Sequence, residues 1–348
     1  MDLTSTAVQI RESSQVAEAR RVARKCVLGL GFDEESAGRV ALVATELGTN
    51  LVKHGHGGEL VVRPVTQSSS PPIDEIELLA IDVGPGMADW RTCAVDGYTT
   101  TSSPGTGLGA VARGSRFFDV FSAPGRGTVV AVRIGRDTAH HEQHAPGLQI
   151  GAVCVPYPGE AECGDAWTFQ RHNGVTRVLV ADGLGHGRDA AAASHAAVEL
   201  FGDLTTYGPA ATMERLHGGL RHTRGAAAAT LEIDEPQKEV RYCGVGNISA
   251  VIVSALGGRH LVSHNGTVGH EARRIQEMTY PWPDGGLLLV HSDGIATHWK
   301  LDAYPGLVTR HPALVAGVLY RDHRRQRDDA TMIAIGAGRS GNSQIGSV

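Results

Sequence analysis

The sequence predicts an α+β protein of two domains, and three observations carry that prediction. Strand-like and helix-like apolar segments occur together along all of its 348 residues, a length that suits two hydrophobic cores better than one. A polar stretch, residues 136–147, has no apolar periodicity and breaks the pattern near the middle. On each side of that break, apolar runs end at acidic residues followed by glycines, so each half carries its own candidate site. The expected division is therefore 1–135, a linker 136–147, and 148–348.

Composition narrows the class. Apolar residues make up 41% of the chain and charged residues 20%, as in soluble globular proteins. The formal charge of −5 and the scatter of Lys and Arg argue against a nucleic-acid surface. No apolar stretch approaches the ~20 residues of a membrane span. The N-terminus lacks a basic-then-apolar leader, so the expected location is the cytoplasm. The five cysteines are spread through the chain and read as reduced thiols, although Cys163 stands beside a candidate site residue where a reactive thiol is the alternative.

In the first half, Ser13 or Ser14 can cap a helix with the apolar face Val16, Ala19, Ala23, Val27 and Leu30, ended by Gly31. Asp33 caps a second helix, about 34–53, on which Glu46 and Asn50 recur at helical spacing and project from one face. A solvated face is the plain reading of that pair. Strands follow at about 59–65 and 75–81, separated by the polar tip 67–72. The second strand runs into Asp82-Val83-Gly84-Pro85-Gly86. Gly105-Thr106-Gly107-Leu108-Gly109 then opens a helix taken to carry Val111, Ala112 and Phe117. Glycines at a helix start expose backbone N–H groups to a phosphate. The half closes on 119–122, a Pro124–Gly127 turn and a strand over 128–134. In the linker, His140, His141 and His144 read as solvated, with a transition-metal site as the alternative.

In the second half, strands at about 148–156, 167–172 and 175–181 lead to Asp182-Gly183-Leu184-Gly185-His186-Gly187, with Asn173-Gly174 marking a hairpin. An Ala-rich helix over 190–201 and another near 210–222 come next. Strands near 226–233, 239–245, 248–255, 260–263 and 286–291 follow, the last ending at Ser292-Asp293-Gly294. Asp328-Asp329-Ala330-Thr331 opens a final strand. The Asp182 turn alone suits either a hard cation or an ordinary strand-to-helix turn. Asp165, Asp182, Asp293 and Asp328, however, all stand at strand edges. Four carboxylates converging in a core would repel one another unless cations neutralise them. Two Mg²⁺ or Mn²⁺ ions would do so, and would activate a water for attack on a phosphoryl group.

The first-half series, with Ala44-Thr45-Glu46-Leu47-Gly48-Thr49-Asn50-Leu51-Val52-Lys53-His54-Gly55 as its N-box, resembles the GHKL (Bergerat-type) ATPases, and within them the small bacterial serine kinases of the anti-sigma and switch-kinase type. The resemblance covers about residues 10–135 and implies an α/β sandwich that binds ATP and Mg²⁺. It implies that Asn50 holds the Mg²⁺, Glu46 is the base for phosphoryl transfer and Asp82 bonds the adenine amino group, with room made by Gly84 and Gly86. Gly105, Gly107 and Gly109 would form the lid over the phosphates, and Thr128 would lie near the adenine. The second half resembles the metal-dependent (PPM-type) serine/threonine phosphatases of the SpoIIE/RsbX-like branch. The matching stretches are Gly164-Asp165, Asp182–Gly187, Gly244-Val245-Gly246-Asn247, Gly266-Thr267-Val268-Gly269, Ser292-Asp293-Gly294 and Asp328-Asp329-Ala330-Thr331.

This second resemblance implies an α-β-β-α sandwich with a two-metal centre. Asp182 would bridge the ions and the Gly183 carbonyl would be a ligand. Asp165 would serve one metal, and Asp293 and Asp328 the other. It implies a role for His186 either as acid to the leaving seryl oxygen or in orienting a water. Asn247 is read as a brace, and Asp329 as a weaker ligand candidate than Asp328. No basic residue near Asp165 offers itself as the grip on substrate phosphate. The implied substrate is a phosphorylated STAS-type anti-anti-sigma or stressosome protein. The rival reading is a module that sequesters sigma-pathway proteins in a nucleotide-dependent way with inert active sites.

Overall fold

The computed structural model describes residues 3–66, 74–93, 107–136 and 147–337. Gly105, the polar tip 67–72 and the linker histidines His140, His141 and His144 lie outside the described residues. Contacts between Cα atoms separate the chain into two units, Ser5–Pro146 with Pro305–Arg321, and Gly147–Tyr304 with Met1–Thr4 and Asp322–Gly338.

The first unit begins with β1 (Thr6–Ile10), α1 (Ser13–Gly29), α2 (Glu34–Lys53), β2 (Gly58–Thr66) and β3 (Asp74–Ile81). It continues through α3 (Trp90–Cys93), α4 (Gly107–Arg113), β4 (Phe117–Ser122) and β5 (Thr128–Gly135). The strands form one antiparallel sheet in the order β1-β2-β3-β5-β4. Val16, Ala19, Ala23 and Val27 of α1 and Val40, Ala44, Leu47 and Leu51 of α2 bury one face of it with Leu60, Val62, Ile76 and Leu78. Asp33 caps α2 as expected, its Oδ1 accepting from Ser36 N at 2.8 Å. At α1 the cap is Glu12 and not Ser13 or Ser14, with Glu12 N donating to Gln15 Oε1 at 3.1 Å. β1, unread in the sequence, is a short strand whose Val8 and Ile10 join that same core. Phe117 is also placed differently: the helix stops at Arg113, and Phe117 opens β4 opposite Arg133. Strand pairing along β5 outweighs an apolar pattern that a longer helix would also satisfy.

The second unit contains β6 (Leu148–Val155), β7 (Asp165–His172), β8 (Val175–Gly183), α5 (Arg188–Asp203), α6 (Pro209–Gly219), β9 (Ala226–Asp234) and β10 (Glu239–Val245). After them come β11 (Ser249–Ser254), β12 (Gly257–Leu261), β13 (Ser263–His264), β14 (Met278–Pro281), β15 (Leu287–His291) and β16 (Ala330–Ala337). One sheet runs β13-β10-β9-β8-β7 with β14 on β10, and the other runs β12-β11-β15-β16-β6. The pleat sorts β8 residue by residue. Val178 and Val180 join the core between the sheets with Ile252, Val290 and Ile333, while Leu179 and Ala181 pack under Ala197, Phe201, Met213 and Leu216 of α5 and α6.

The remaining helix, α7 (Pro312–His323), falls in a stretch left unassigned by the sequence reading. Pro312 to Tyr320 are all buried, the mark of a helix covered on every side. Its residues up to Arg321 belong with the first unit, although their place in the chain lies beyond the linker. There a Cβ on Gly317 would stand 3.0 Å from Val129 Cγ1, and the Tyr320 hydroxyl donates to Glu59 Oε2 at 2.9 Å. Just before the helix, Arg310 Nη1 bonds Asp119 Oδ1 at 2.9 Å. Among the described residues, no helix is long and apolar enough to cross a membrane.

Candidate active sites

In the first unit, α2 puts Glu46 and Asn50 one turn apart, and the start of α4 lies against them. A Cβ on Gly107 would be 3.4 Å from Asn50 Oδ1 and 3.9 Å from Glu46 Oε2. Gly109, two residues further along, is buried. Asp82 follows β3 and is locked to β5: its N–H donates to Thr128 O at 2.9 Å, and its Oδ1 accepts from Thr128 N at 3.0 Å and Gly84 N at 2.8 Å. Burial raises the Asp82 carboxyl, and the two amides pull against it. Asp82 also abuts the end of α2, since a Cβ on Gly55 would meet Asp82 Cβ at 2.8 Å. Gly86 has φ +65 and a Cβ there would lie 2.0 Å from Ala123 O, so only glycine lets this loop close. Glu46, Asn50, Gly107, Asp82, Gly84 and Thr128 thus gather around the C-terminal part of α2.

In the second unit, strand register does the gathering. Asp165 pairs directly with Asp182 across β7 and β8, and Asp182 with Ala227 of β9. Asp293 follows β15, and Asp328 and Asp329 precede the adjoining β16. A cleft of ≈ 150 Å³ is lined by Asp182, Leu184, Gly185, Ala227, Asn247, Asp293 and Asp328. Gly183 must be glycine, because a Cβ there would lie 2.1 Å from Ala190 O where α5 folds back on the turn.

The acids do not sit comfortably together. Burial, then the charges of Asp165, Asp293, Asp328 and Asp329, raise Asp182 to about 9. Burial, with the Asp329 and Asp328 charges behind it, raises Asp165 to about 7, although Ser292 Oγ donates to its Oδ2 at 2.6 Å. Burial and Asp293 raise Asp328 to about 6. Asp165 is only 1% exposed, and its Oδ1 has no hydrogen-bond donor. An all-oxygen donor set with an orphaned buried oxygen and mutually repelling charges fits hard divalent cations. Among the described residues, no three His, Cys, Asp or Glu side chains are already closed around a point that would hold an ion. Asp182, Asp293 and Asp328 share the cleft without having closed on it.

Several contacts of residues already singled out escaped the sequence reading. Asn247 Nδ2 donates to Asp293 Oδ2 at 2.7 Å, so it holds a candidate ligand directly. Asp329 is buried and its Oδ1 accepts from Tyr157 N at 2.8 Å. His186 does not line the cleft; its ring stacks on Tyr157, and its Nδ1 meets Glu160 Oε1 at 2.9 Å. Cys154 and Cys163, nine residues apart in sequence, place their sulfurs 3.9 Å apart in the core as free thiols. Ser292 was legible as part of Ser-Asp-Gly, but the partners of His186 and Asp293 lie too far off in sequence to signal themselves.

Two face-to-face sheets with acidic strand ends define a PPM-type serine/threonine phosphatase unit, and the first unit is a GHKL-type ATP-binding unit. Residues 172–337 match the SpoIIE (stage II sporulation protein E) family model, and residues 11–134 match the histidine kinase-like ATPase domain. The phosphoserine phosphatase RsbX of Bacillus subtilis (strain 168) is 27% identical over 138 residues, 39% of this chain and 69% of RsbX. The serine/threonine-protein kinase RsbT of the same organism is 28% identical over 123 residues, 35% of this chain and 90% of RsbT. Among solved structures, a chain of the bacterial stressosome, described as a modular system adapted to control secondary messenger signaling, is 30% identical. It covers 54% of this chain and 98% of its own, with a TM-score of 0.51. RsbX in complex with magnesium shares the fold at 22% identity and a TM-score of 0.51, covering 56% of this chain and 97% of its own. The protein thus joins a SpoIIE-type PPM phosphatase domain to a GHKL-like domain similar to RsbT.

Proposed function

We propose that the second unit removes phosphate from serine or threonine of a STAS-type anti-anti-sigma or stressosome protein, and that the first unit binds ATP with Mg²⁺ and acts in the same switch. The domain boundaries that go with this reading are 1–135, 136–147 and 148–348, with the stretch around α7 lent to the first unit. The observation that carries the phosphatase half is the strand-end carboxylates Asp182, Asp293 and Asp328 lining one cleft, with the buried Asp165 paired to Asp182 on the neighbouring strand. The phosphoserine phosphatase and serine/threonine kinase activities of RsbX and RsbT, and the likeness to the stressosome chain, support the choice of substrate.

On this reading Asp182, Asp165, the Gly183 carbonyl, Asp293 and Asp328 would hold two Mg²⁺ or Mn²⁺ ions, with Asp182 serving both. When bound, the ions would activate a water and neutralise phosphoryl charge. The chain's own residues set up the rest. Ser292 fixes Asp165, Asn247 fixes Asp293, and Glu160 with Tyr157 orients His186, a catalytic candidate as acid to the leaving oxygen. In the first unit Asn50 would bind the Mg²⁺ of ATP and Glu46 would accept the proton of the attacking hydroxyl. Gly107 and Gly109 would cover the phosphates, and Asp82, pinned by Thr128 and Gly84, would accept from the adenine amino group. The work is assigned to the cytoplasm.

The test is to incubate the protein with a STAS-domain partner and follow its phosphate by intact mass. With Mn²⁺ the phosphorylated partner is expected to lose 80 Da per site, roughly one phosphoryl group; with MgATP the unphosphorylated partner is expected to gain it. Loss in neither direction, with tight partner binding only, would sink the enzymatic reading of both halves.

A further inference from the structure

We infer that Arg224 is the residue that receives the phosphoryl oxygens of the substrate at the second unit's cleft; this rests on the phosphatase reading above. The sequence offered no such cation near Asp165, and the structure brings one from elsewhere. β9 opens at Ala226, which pairs with Gly183, and Leu184 N donates to Gly225 O at 3.1 Å. Residues 224 and 225 therefore run alongside the Gly183–Gly185 turn that carries Asp182. At its tip, a Cβ on Gly185 would come within 3.4 Å of Arg224 Nη1, and Gly185 lines the cleft together with Asp182, Asp293 and Asp328. Because residue 185 has no side chain, nothing of its own screens the guanidinium from that wall.

The charges around the cleft make this placement consequential. Every charged residue that lines it is a carboxylate, so a phosphate dianion is repelled by the lining and attracted only by the bound ions and by a cation at the rim. A guanidinium is the group suited to that place, since its planar fork matches two phosphate oxygens. Arg224 is now held through Nη2 by Asp189 Oδ2 at 2.6 Å, with side-chain exposures of 52% and 64%. Exposed ion pairs of this kind contribute little net free energy, so Asp189 parks the guanidinium without locking it. The backbone beneath is fixed: Gly225 N donates to Thr223 Oγ1 at 3.0 Å, and the His270 ring meets Thr223 O at 3.0 Å. An exposed arginine on a fixed loop suits a phosphate presented on the surface of another protein.

Calorimetry with inorganic phosphate and the Mn²⁺-loaded full chain tests this without turnover, and kinetics on a phosphoserine peptide test it with turnover. Arg224→Ala is expected to weaken inorganic phosphate about tenfold or more and to raise the peptide KM by a similar factor with a smaller change in kcat, while Mn²⁺ affinity stays the same. Arg224→Lys is expected to recover part of the loss. Asp189→Asn, which frees the guanidinium, is expected to leave phosphate binding equal or tighter. Unchanged phosphate affinity and KM in Arg224→Ala would overturn the inference, and so would parallel loss of Mn²⁺ affinity, which would make Arg224 a support of the loop. If the wild type hydrolyses no phosphoserine yet loses phosphate affinity on Arg224→Ala, the anion site stands and the phosphatase reading falls.

Discussion

Both units bury acidic side chains, but they compensate them differently. In the first, the counter-charge comes from the chain. Burial acts to raise Glu77, yet Arg63 at 2.6 Å and Arg133 at 2.7 Å hold it below the ordinary range. Asp82 takes two backbone amides and Asp119 takes Arg310 at 2.9 Å, although burial still raises both carboxyls, so Glu77 is the acid that the chain compensates in full. In the second unit Asp165, Asp182, Asp328 and Asp329 are raised together, with hydroxyls, amides and one another for neighbours. A fold that needed those acids only for stability would have paired them as it paired Glu77. Leaving them unpaired reserves them for a cation from outside.

The comparison can be broken most sharply at its centre. Asp182→Asn is expected to lower Mn²⁺-dependent hydrolysis of an aryl phosphate by on the order of 10³-fold or more, because both ions would lose their shared ligand; near-normal rates would void the assignment. In the first unit, Glu77→Gln leaves two buried guanidiniums without their carboxylate, and urea denaturation followed by a probe in that unit should show a loss of about 3–5 kcal/mol. Asp82→Asn keeps an oxygen for Thr128 N and Gly84 N but turns its other carboxyl oxygen into a donor. ATP affinity should drop about 10–100-fold with the fold intact, as expected for losing a charge-assisted bond, and tight ATP binding by this variant would remove Asp82 from the nucleotide site.

Smaller effects sharpen the contrast. Asn247→Ala should weaken Mn²⁺ about tenfold by releasing Asp293, in keeping with the usual cost of losing a partner to a ligand. For pH, Asp328, Asp165 and Asp182 stand at about 6, 7 and 9 in the fold, against about 3.9 when unfolded. Without metal the folded state then binds more protons between about pH 4 and 9, so its stability falls as pH rises through that window. Melting temperatures in chelator should be higher at pH 5 than at pH 9, and Mn²⁺, which binds the ionised acids, should flatten or reverse that slope. A metal-free protein that melts higher at pH 9 would show that the repulsion is relieved within the chain, as it is in the first unit.

Much of this was readable in advance, and unevenly so. Glu46 and Asn50 are four residues apart on one helix, and helical geometry alone puts them on one face. Asp82, Gly84 and Gly86 share one loop. The four acids at strand ends were each visible, as was the demand that cations neutralise them. The stretch 295–326 was not, since α7 is apolar all round and its pattern gives neither a face nor a partner.

By itself, the sequence determined the two-unit α+β plan, the helix that carries Glu46 and Asn50, and the acidic strand ends, because these follow from local periodicity, caps and turn chemistry. Only the tertiary structure decided that Asp165 faces Asp182, that Asn247 holds Asp293, that Glu160 holds His186, and that Arg224 stands by Gly185. It alone joined α7 to the first unit's sheet through Tyr320 and Glu59, 261 residues apart. Local rules fix what a few neighbouring residues can do; pairing across distant strands is chosen by burial and register summed over the whole fold, which no short window of sequence contains.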